Sequence, residues 1–126
     1  MTENELAEIV VDTSLKIHRK LGPGLLESVY ESILAFELGK RGIVVQRQVP
    51  IPLIWEEMLV QDSFRADLIL NGKLLIELKS VEKTIPLYKK QVLTYLKVSG
   101  LKLGLLINFG SALLRDNIER VINGQL

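Results

Sequence analysis

Cysteine is absent from the 126 residues, which excludes a disulfide framework, a thiolate metal site and a cysteine nucleophile. That absence suits a reducing compartment, and the cytoplasm is the expected location. No apolar run approaches the roughly 18 residues needed to span a bilayer. The opening stretch MTENELAEIV places acids where a secretory signal would have a basic region, so a soluble, unexported protein without membrane contact is expected. Neither sign of charge dominates: sixteen basic and fifteen acidic residues leave a net charge of +1. Whole-chain electrostatics therefore do not announce a nucleic-acid binder, and any such role must rest on a local patch. Repeats, low-complexity segments and linkers are also missing. What remains is one continuous domain, residues 1–126, long enough to bury a core without staples.

Periodicity divides that domain into helices and strands. Thr2 and Glu5 have capping-box spacing, and Leu6, Ile9, Val10, Thr13, Ile17 and Leu21 then follow a helical period up to Gly22. After Gly22-Pro23-Gly24 a second helix is predicted from about Leu25 to Lys40, ended by Gly42. Strands follow in IVVQRQVPIPLIW, FRADLIL and KLLIELKS, the first an edge or irregular strand because Pro50 and Pro52 cannot donate to a ladder. A third helix begins near Thr84 to Pro86 and stops at Gly100, and KLGLLINF reads as a buried strand. Residues 112–124 suit a helix through Leu114, Ile118, Val121 and Ile122, or a strand through Ile118, Arg120 and Ile122. The order α, α, β, β, β, α, β predicts an α/β fold, a mixed central sheet flanked by helices.

Within this pattern, FRADLILNGKLLIELKS sets Asp67, Glu77 and Lys79 among leucines and isoleucines. Alternation puts Glu77 and Lys79 on one strand face. An E-x-K pair alone is most simply a solvated ion pair worth about 0 to 1 kcal/mol. A second carboxylate, Asp67, on the adjacent strand changes the balance, because two carboxylates on one face repel unless a cation lies between them. That convergence demands a particular turn. A two-residue Asn71-Gly72 hairpin would set Asp67 opposite Ile76 and put the carboxylates on opposite faces. A three-residue loop Leu70-Asn71-Gly72 with Gly72 at positive φ, or a bulge, is therefore expected.

Asp67 followed by Glu77-Leu78-Lys79 resembles the D…E-x-K core of the PD-(D/E)XK nuclease superfamily. GLLESVY, Gly24 to Tyr30, is similar to the signature of its GxxExxY family, as are IHRKLGPG, ELGKRGI, FRADLIL, ELKSVEK, QVLTYLK and GLLINFG in that order. The segment WEEMLVQD departs from the family pattern, with Glu56 and Glu57 in place of a glycine-containing turn. The resemblance implies a restriction-endonuclease-like core. It also implies that Asp67, Glu77 and the Leu78 carbonyl hold Mg²⁺ or Mn²⁺, and that Lys79 orients water and offsets charge growing on a phosphate. Glu27 becomes an active-site carboxylate that helps the metal or its water, while Tyr30 with Ile33 and Leu34 suits the core.

Gln91 and Tyr95 resemble the glutamine and tyrosine of the helix after the E-x-K strand and would face the sheet with Leu87 and Val98. Gln91 either reaches the site, as a further catalytic residue, or bonds a backbone group. Lys16, Arg19 and Lys20 around the single histidine, His18, and the pair Lys90 and Lys97 are the candidates for phosphate contact, although such runs are usually solvated faces. His18 itself reads as structural or phosphate-contacting. Two functions follow: a Mg-dependent nuclease acting on DNA or RNA by metal-activated water, or a nuclease-derived binding module without catalysis. The small size favours a homodimer or a larger complex in either case.

Overall fold

In the computed structural model, all residues of the chain are described except the side chains of residues 62 and 63. Helix α1 spans Glu3–Leu21. Its capping box is complete: the Glu5 N–H donates to Thr2 Oγ1 at 3.1 Å and the Thr2 N–H to Glu5 Oε1 at 3.0 Å. The helix stops at Gly22, whose φ of 72° an L side chain would resist. Helix α2 runs over Glu27–Lys40, starting two residues later than expected because Leu25 and Leu26 stay in the loop. That loop is closed by Tyr30, whose buried hydroxyl donates to the Gly22 carbonyl and accepts from the Leu25 N–H at 3.2 Å.

Five strands follow in the spatial order of the chain: β1 Val45–Trp55, β2 Met58–Leu70, β3 Leu74–Lys79, β4 Leu103–Asn108 and β5 Ile118–Ile122. Helix α3, Pro86–Ser99, carries the crossover between β3 and β4, the parallel pair in an otherwise antiparallel sheet. Pro86 opens this helix and Gly100, in the left-handed region, closes it. Strand β1 lies at an edge, where Pro50 and Pro52 are tolerated. The ambiguous tail is a short 3-10 turn, Leu114–Asp116, and then a strand.

Helices α1 and α2 cover one sheet face, packing Leu6, Val10, Tyr30, Leu34 and Leu38 on Leu68, Ile76, Leu78, Leu105 and Ile107. Helix α3 covers the other, with Val92 and Leu96 on Ala66, Ile69, Leu75 and Leu106. Burial on both faces explains why β3 and β4 read as nearly unbroken apolar runs. One expected packing residue is displaced: Leu87 is 52 % exposed. The side chains that turn toward the sheet with Tyr95 and Val98 are instead Tyr88, Val92 and Leu96. No helix among the described residues is long and apolar enough to cross a membrane.

The β2–β3 connection resolves the parity question. Asn71 and Gly72 take φ of 51° and 65°, and the Lys73 N–H donates to the Leu70 carbonyl at 2.9 Å. The ladder nevertheless resumes with Leu70 opposite Leu74, not Lys73. The loop thus has three residues, Asn71-Gly72-Lys73, one position later than expected, with Gly72 at positive φ as anticipated. Continuing the register beyond Leu68↔Ile76 sets Asp67 level with Glu77.

Gly110 offers a test of the frame behind β3. A Cβ there would stand 2.4 Å from the Val81 N and 2.5 Å from its O, so backbone would have to move. Gly110→Ala is expected to cost about 1–3 kcal/mol, like other overpacking changes. At about 4–8 °C per kcal/mol for a domain of this order, a thermal melt would register the change. An unchanged melting temperature would contradict the tight contact.

Candidate active site

The cleft opens where pairing fails. Arg47↔Leu68 and Val49↔Ala66 are partners across β1 and β2, but Gln48 and Asp67 between them are not. Gln48 has a φ of 49°, rare for a side-chain-bearing residue. On the other side of β2, the ladder to β3 ends at Leu68↔Ile76. Face alternation slips at the same point, since Phe64 and Ala66 pack toward α3 whereas Leu68 and Leu70 pack toward α1 and α2.

Carboxylates replace the missing ladder. The Asp67 N–H donates to Glu77 Oε1 at 3.0 Å, and the Leu78 N–H donates to Asp67 Oδ2 at 2.8 Å. Because a residue's N–H and C=O point to the same side of a strand, the Leu78 carbonyl is directed into the gap between β2 and β3. The expected trio of Asp67, Glu77 and the Leu78 carbonyl therefore converges. Lys79 follows on β3, its ammonium 4.4 Å from the centre of the Tyr88 ring. No salt bridge among the described residues ties that ammonium to either carboxylate.

The loop before α2 places Glu27 at this end of the sheet. Ser80 Oγ donates to the Leu25 carbonyl at 2.6 Å, and the Ser80 backbone N–H is close enough to the Glu27 carboxylate to favour its charged form. Glu27 also feels the charges of Lys79 and Asp67. Tyr30, the last residue of the motif, is core: it is fully buried and stacks on Phe109 with ring centres 4.4 Å apart. Nothing in the structure explains a glycine at Gly24, where an added Cβ would meet open space.

Three participants carried no local signal that identified them. Glu31, buried one turn after Glu27, receives Arg47 Nε at 3.1 Å and Nη2 at 3.0 Å on one oxygen. Its other oxygen receives the Gln48 amide, which also donates to Asp67 Oδ1 at 3.2 Å. Gln48 thereby joins α2 to Asp67. Tyr88 is the third. The Glu27-x-x-x-Glu31 spacing and the Tyr88, Gln91, Tyr95 stripe were the available hints.

Gln91 is half-buried on α3 between Tyr88 and Tyr95. The candidate phosphate contacts are spread more widely. Lys16 and Lys20 line a groove between α1 and α2, Arg19 is exposed on α1, Lys90 lies beside Glu119 and Val121 of β5, and Lys97 is exposed on α3. His18 is buried, with Nε2 at 2.9 Å from the Ser111 carbonyl oxygen, which supports its structural reading.

Burial first and then the neighbouring Asp67 charge push the Glu77 carboxyl up to about 8, against the opposing Asp67 N–H and Lys79. Asp67 is raised chiefly by burial, opposed by its bonds from Leu78 and Gln48. Burial also raises Glu27, while Lys79 counters it. Burial and then the two carboxylates raise the Tyr95 hydroxyl. Among the described residues no three acidic or histidine side chains gather as a complete cation cage. Two carboxylates and one carbonyl are nonetheless the kind of hard oxygen set that Mg²⁺ shares with water and phosphate. The high Glu77 value marks a negative charge for which the protein alone compensates poorly, so the residues fit such an ion.

A mixed five-stranded sheet between helices, with an Asp/Glu-x-Lys cleft at its splayed strands, defines a restriction-endonuclease-like α/β domain. A family model of the PD-(D/E)XK nuclease superfamily matches residues 4–121, and the chain belongs to that superfamily. No curated protein and no solved structure matches it in the corresponding comparisons.

The raised Glu77 value has a definite sign for stability. The folded state holds this proton more tightly than the unfolded chain, so the contribution is full below the ordinary glutamate range and lost as pH rises through about 8. In EDTA, the melting temperature is expected to fall between pH 5 and 8, and Glu77→Gln to flatten that fall. Identical pH profiles for the two proteins would refute the assignment. Gln48→Leu removes the bridge between Glu31 and Asp67. It is expected to weaken Mn²⁺ binding, measured calorimetrically, by about 10-fold or more, the usual effect of losing a ligand's supporting hydrogen bond.

Proposed function

We propose that the domain is a divalent-metal-dependent nuclease that hydrolyses phosphodiester bonds in nucleic acid. The observation that carries this reading is the exchange of hydrogen bonds that draws Asp67 and Glu77 together beside the Leu78 carbonyl, with Lys79 next along the strand. These three oxygen-bearing groups would hold Mg²⁺ or Mn²⁺. When bound, the ion supplies Lewis acidity toward a phosphoryl oxygen and acidifies water.

The chain's own residues do the rest. Glu27, raised in pKa by burial and within the field of the Lys79 charge, accepts a proton from the attacking water and holds it. Lys79, kept in place by the Tyr88 ring, presents a compact positive charge to the oxygen on which charge grows, with no covalent intermediate required. Gln91 orients substrate or water from α3. Because Mg²⁺ ordinarily retains several waters and takes phosphate oxygens as ligands, an incomplete protein cage suits a site that substrate finishes. Arg19, Lys90 and Lys97 supply non-specific phosphate attraction.

Cleavage of single-stranded, double-stranded and branched DNA and RNA with Mg²⁺ or Mn²⁺ tests the proposal. Lys79→Ala is expected to keep its fold and Mn²⁺ affinity while losing about 100- to 1,000-fold in rate, as when one transition-state donor is removed. Lys79→Arg should restore only part, since a planar guanidinium does not reproduce an ammonium. Equal rates for wild type and Lys79→Ala in matched preparations would leave a binding module without catalysis.

A further inference from the structure

Among the described residues, strand β2 pairs with β3 only over Leu68–Leu70, so its first half is bonded there to β1 alone and forms a two-stranded ribbon leaving the sheet. Such ribbons are marginal by themselves, and this one ends in apolar side chains. Ile54, Trp55, Met58 and Leu59 are 66 %, 65 %, 58 % and 51 % exposed around a turn made of Glu56 and Glu57. Four large apolar residues gathered at one protruding tip mark an interaction surface, unlike apolar residues scattered singly. On the opposite sheet face, α1 and α2 enclose a groove with Ile17, Leu21 and Ile33 among its walls and Lys16, Lys20 and Arg41 along it. Its one acid, Glu37, is already paired with Lys40 at 3.0 Å, so the groove's unpaired charge is positive.

We infer that two copies of this chain form a closed dimer in which each ribbon tip docks into the α1–α2 groove of the other. The chemistry is complementary on both counts: an apolar tip carrying two acids meets an apolar groove carrying three bases. Because both halves belong to one chain, a twofold axis makes the contact twice and leaves no open end. The charged pairs fix partner and register, since placing like charges together in a contact is strongly unfavourable.

Trp55 is the single tryptophan and reports docking directly. Sedimentation equilibrium is expected to show a reversible dimer, with Trp55 fluorescence moving to longer wavelength on dilution as its ring returns to water. Glu56→Lys with Glu57→Lys, and separately Lys16→Glu with Lys20→Glu, are each expected to weaken dimerisation by at least about 10-fold. Mixing the two double variants should restore a heterodimer, because lysine tips then meet glutamate grooves while the wild-type tip and groove complete the second contact. All substitutions are exposed, and far-ultraviolet circular dichroism checks that folding survives. A wild type that stays monomeric to millimolar concentration would overturn the inference. So would a dimer indifferent to both reversals, a mixture that fails to associate, or growth into open chains.

Discussion

Everything at the cleft depends on one exchange: where β2 and β3 stop sharing backbone hydrogen bonds, Asp67 and Glu77 accept the next two N–H groups in place of carbonyls. A sheet cannot end inside a protein without leaving donors unpaired, and an unpaired buried N–H costs about 1–3 kcal/mol. Carboxylate side chains meet that requirement and stay at the opening because they are bonded there. Charge and fold are therefore not independent features. The same two contacts terminate the ladder, pin the acids in register and direct the Leu78 carbonyl into the gap between β2 and β3.

The exchange needs support from outside β3. Asp67 lies at a double irregularity, unpaired with Gln48 on one side and past the last β3 pair on the other. Left alone, such a residue would be free to turn. Gln48 prevents this by spanning from Glu31 on α2 to Asp67, and Arg47 holds Glu31 with two bonds to a single oxygen. Helix α2 is in turn fixed by Tyr30, which closes the loop behind it and stacks on Phe109 at the end of β4. Glu27 and Tyr30 thus do different work at neighbouring positions of one motif, the first facing the cleft and the second anchoring the helix that presents it.

This division shows what local sequence could reveal. Asp67, Glu77 and Lys79 stand out because charges are rare among so many buried leucines, and the odd loop length follows from requiring two of them on one face. Helix limits at Gly22, Pro86 and Gly100 were legible because each depends on the backbone of its own residue, free in the glycines and locked in the proline. Gln48 and Glu31 were not, since their roles arise from contacts between β1, β2 and α2 that no short window contains. A glutamine in an edge strand ordinarily faces water, and Gln48 is indeed exposed, but the missing Gln48–Asp67 pair lets its amide reach Glu31 and Asp67. Leu87 failed for a related reason. Helical period fixes which residues share a stripe, but only packing decides which stripe meets the sheet, and the Phe64–Tyr95 contact with the Tyr88–Lys79 contact selects one centred nearer Val92.

The remaining question is what neutralises two carboxylates that the fold forces together. Lys79 is adjacent, yet its ammonium lies over the Tyr88 ring, and its attraction is outweighed at Glu77 by burial and the Asp67 charge. That leaves a proton or an external cation. With Glu77 raised to about 8, the proton prevails near neutral pH when no metal is present, and a metal must displace it to bind. A scaffold could escape this competition by replacing Glu77 with an amide, which would accept the same Asp67 N–H without carrying charge. Keeping a glutamate there costs stability as pH rises and brings no extra structural hydrogen bond to that donor. A glutamate there therefore has its physical justification in the divalent ion proposed for the site, with Lys79 and Glu27 as further charges that Glu77 feels.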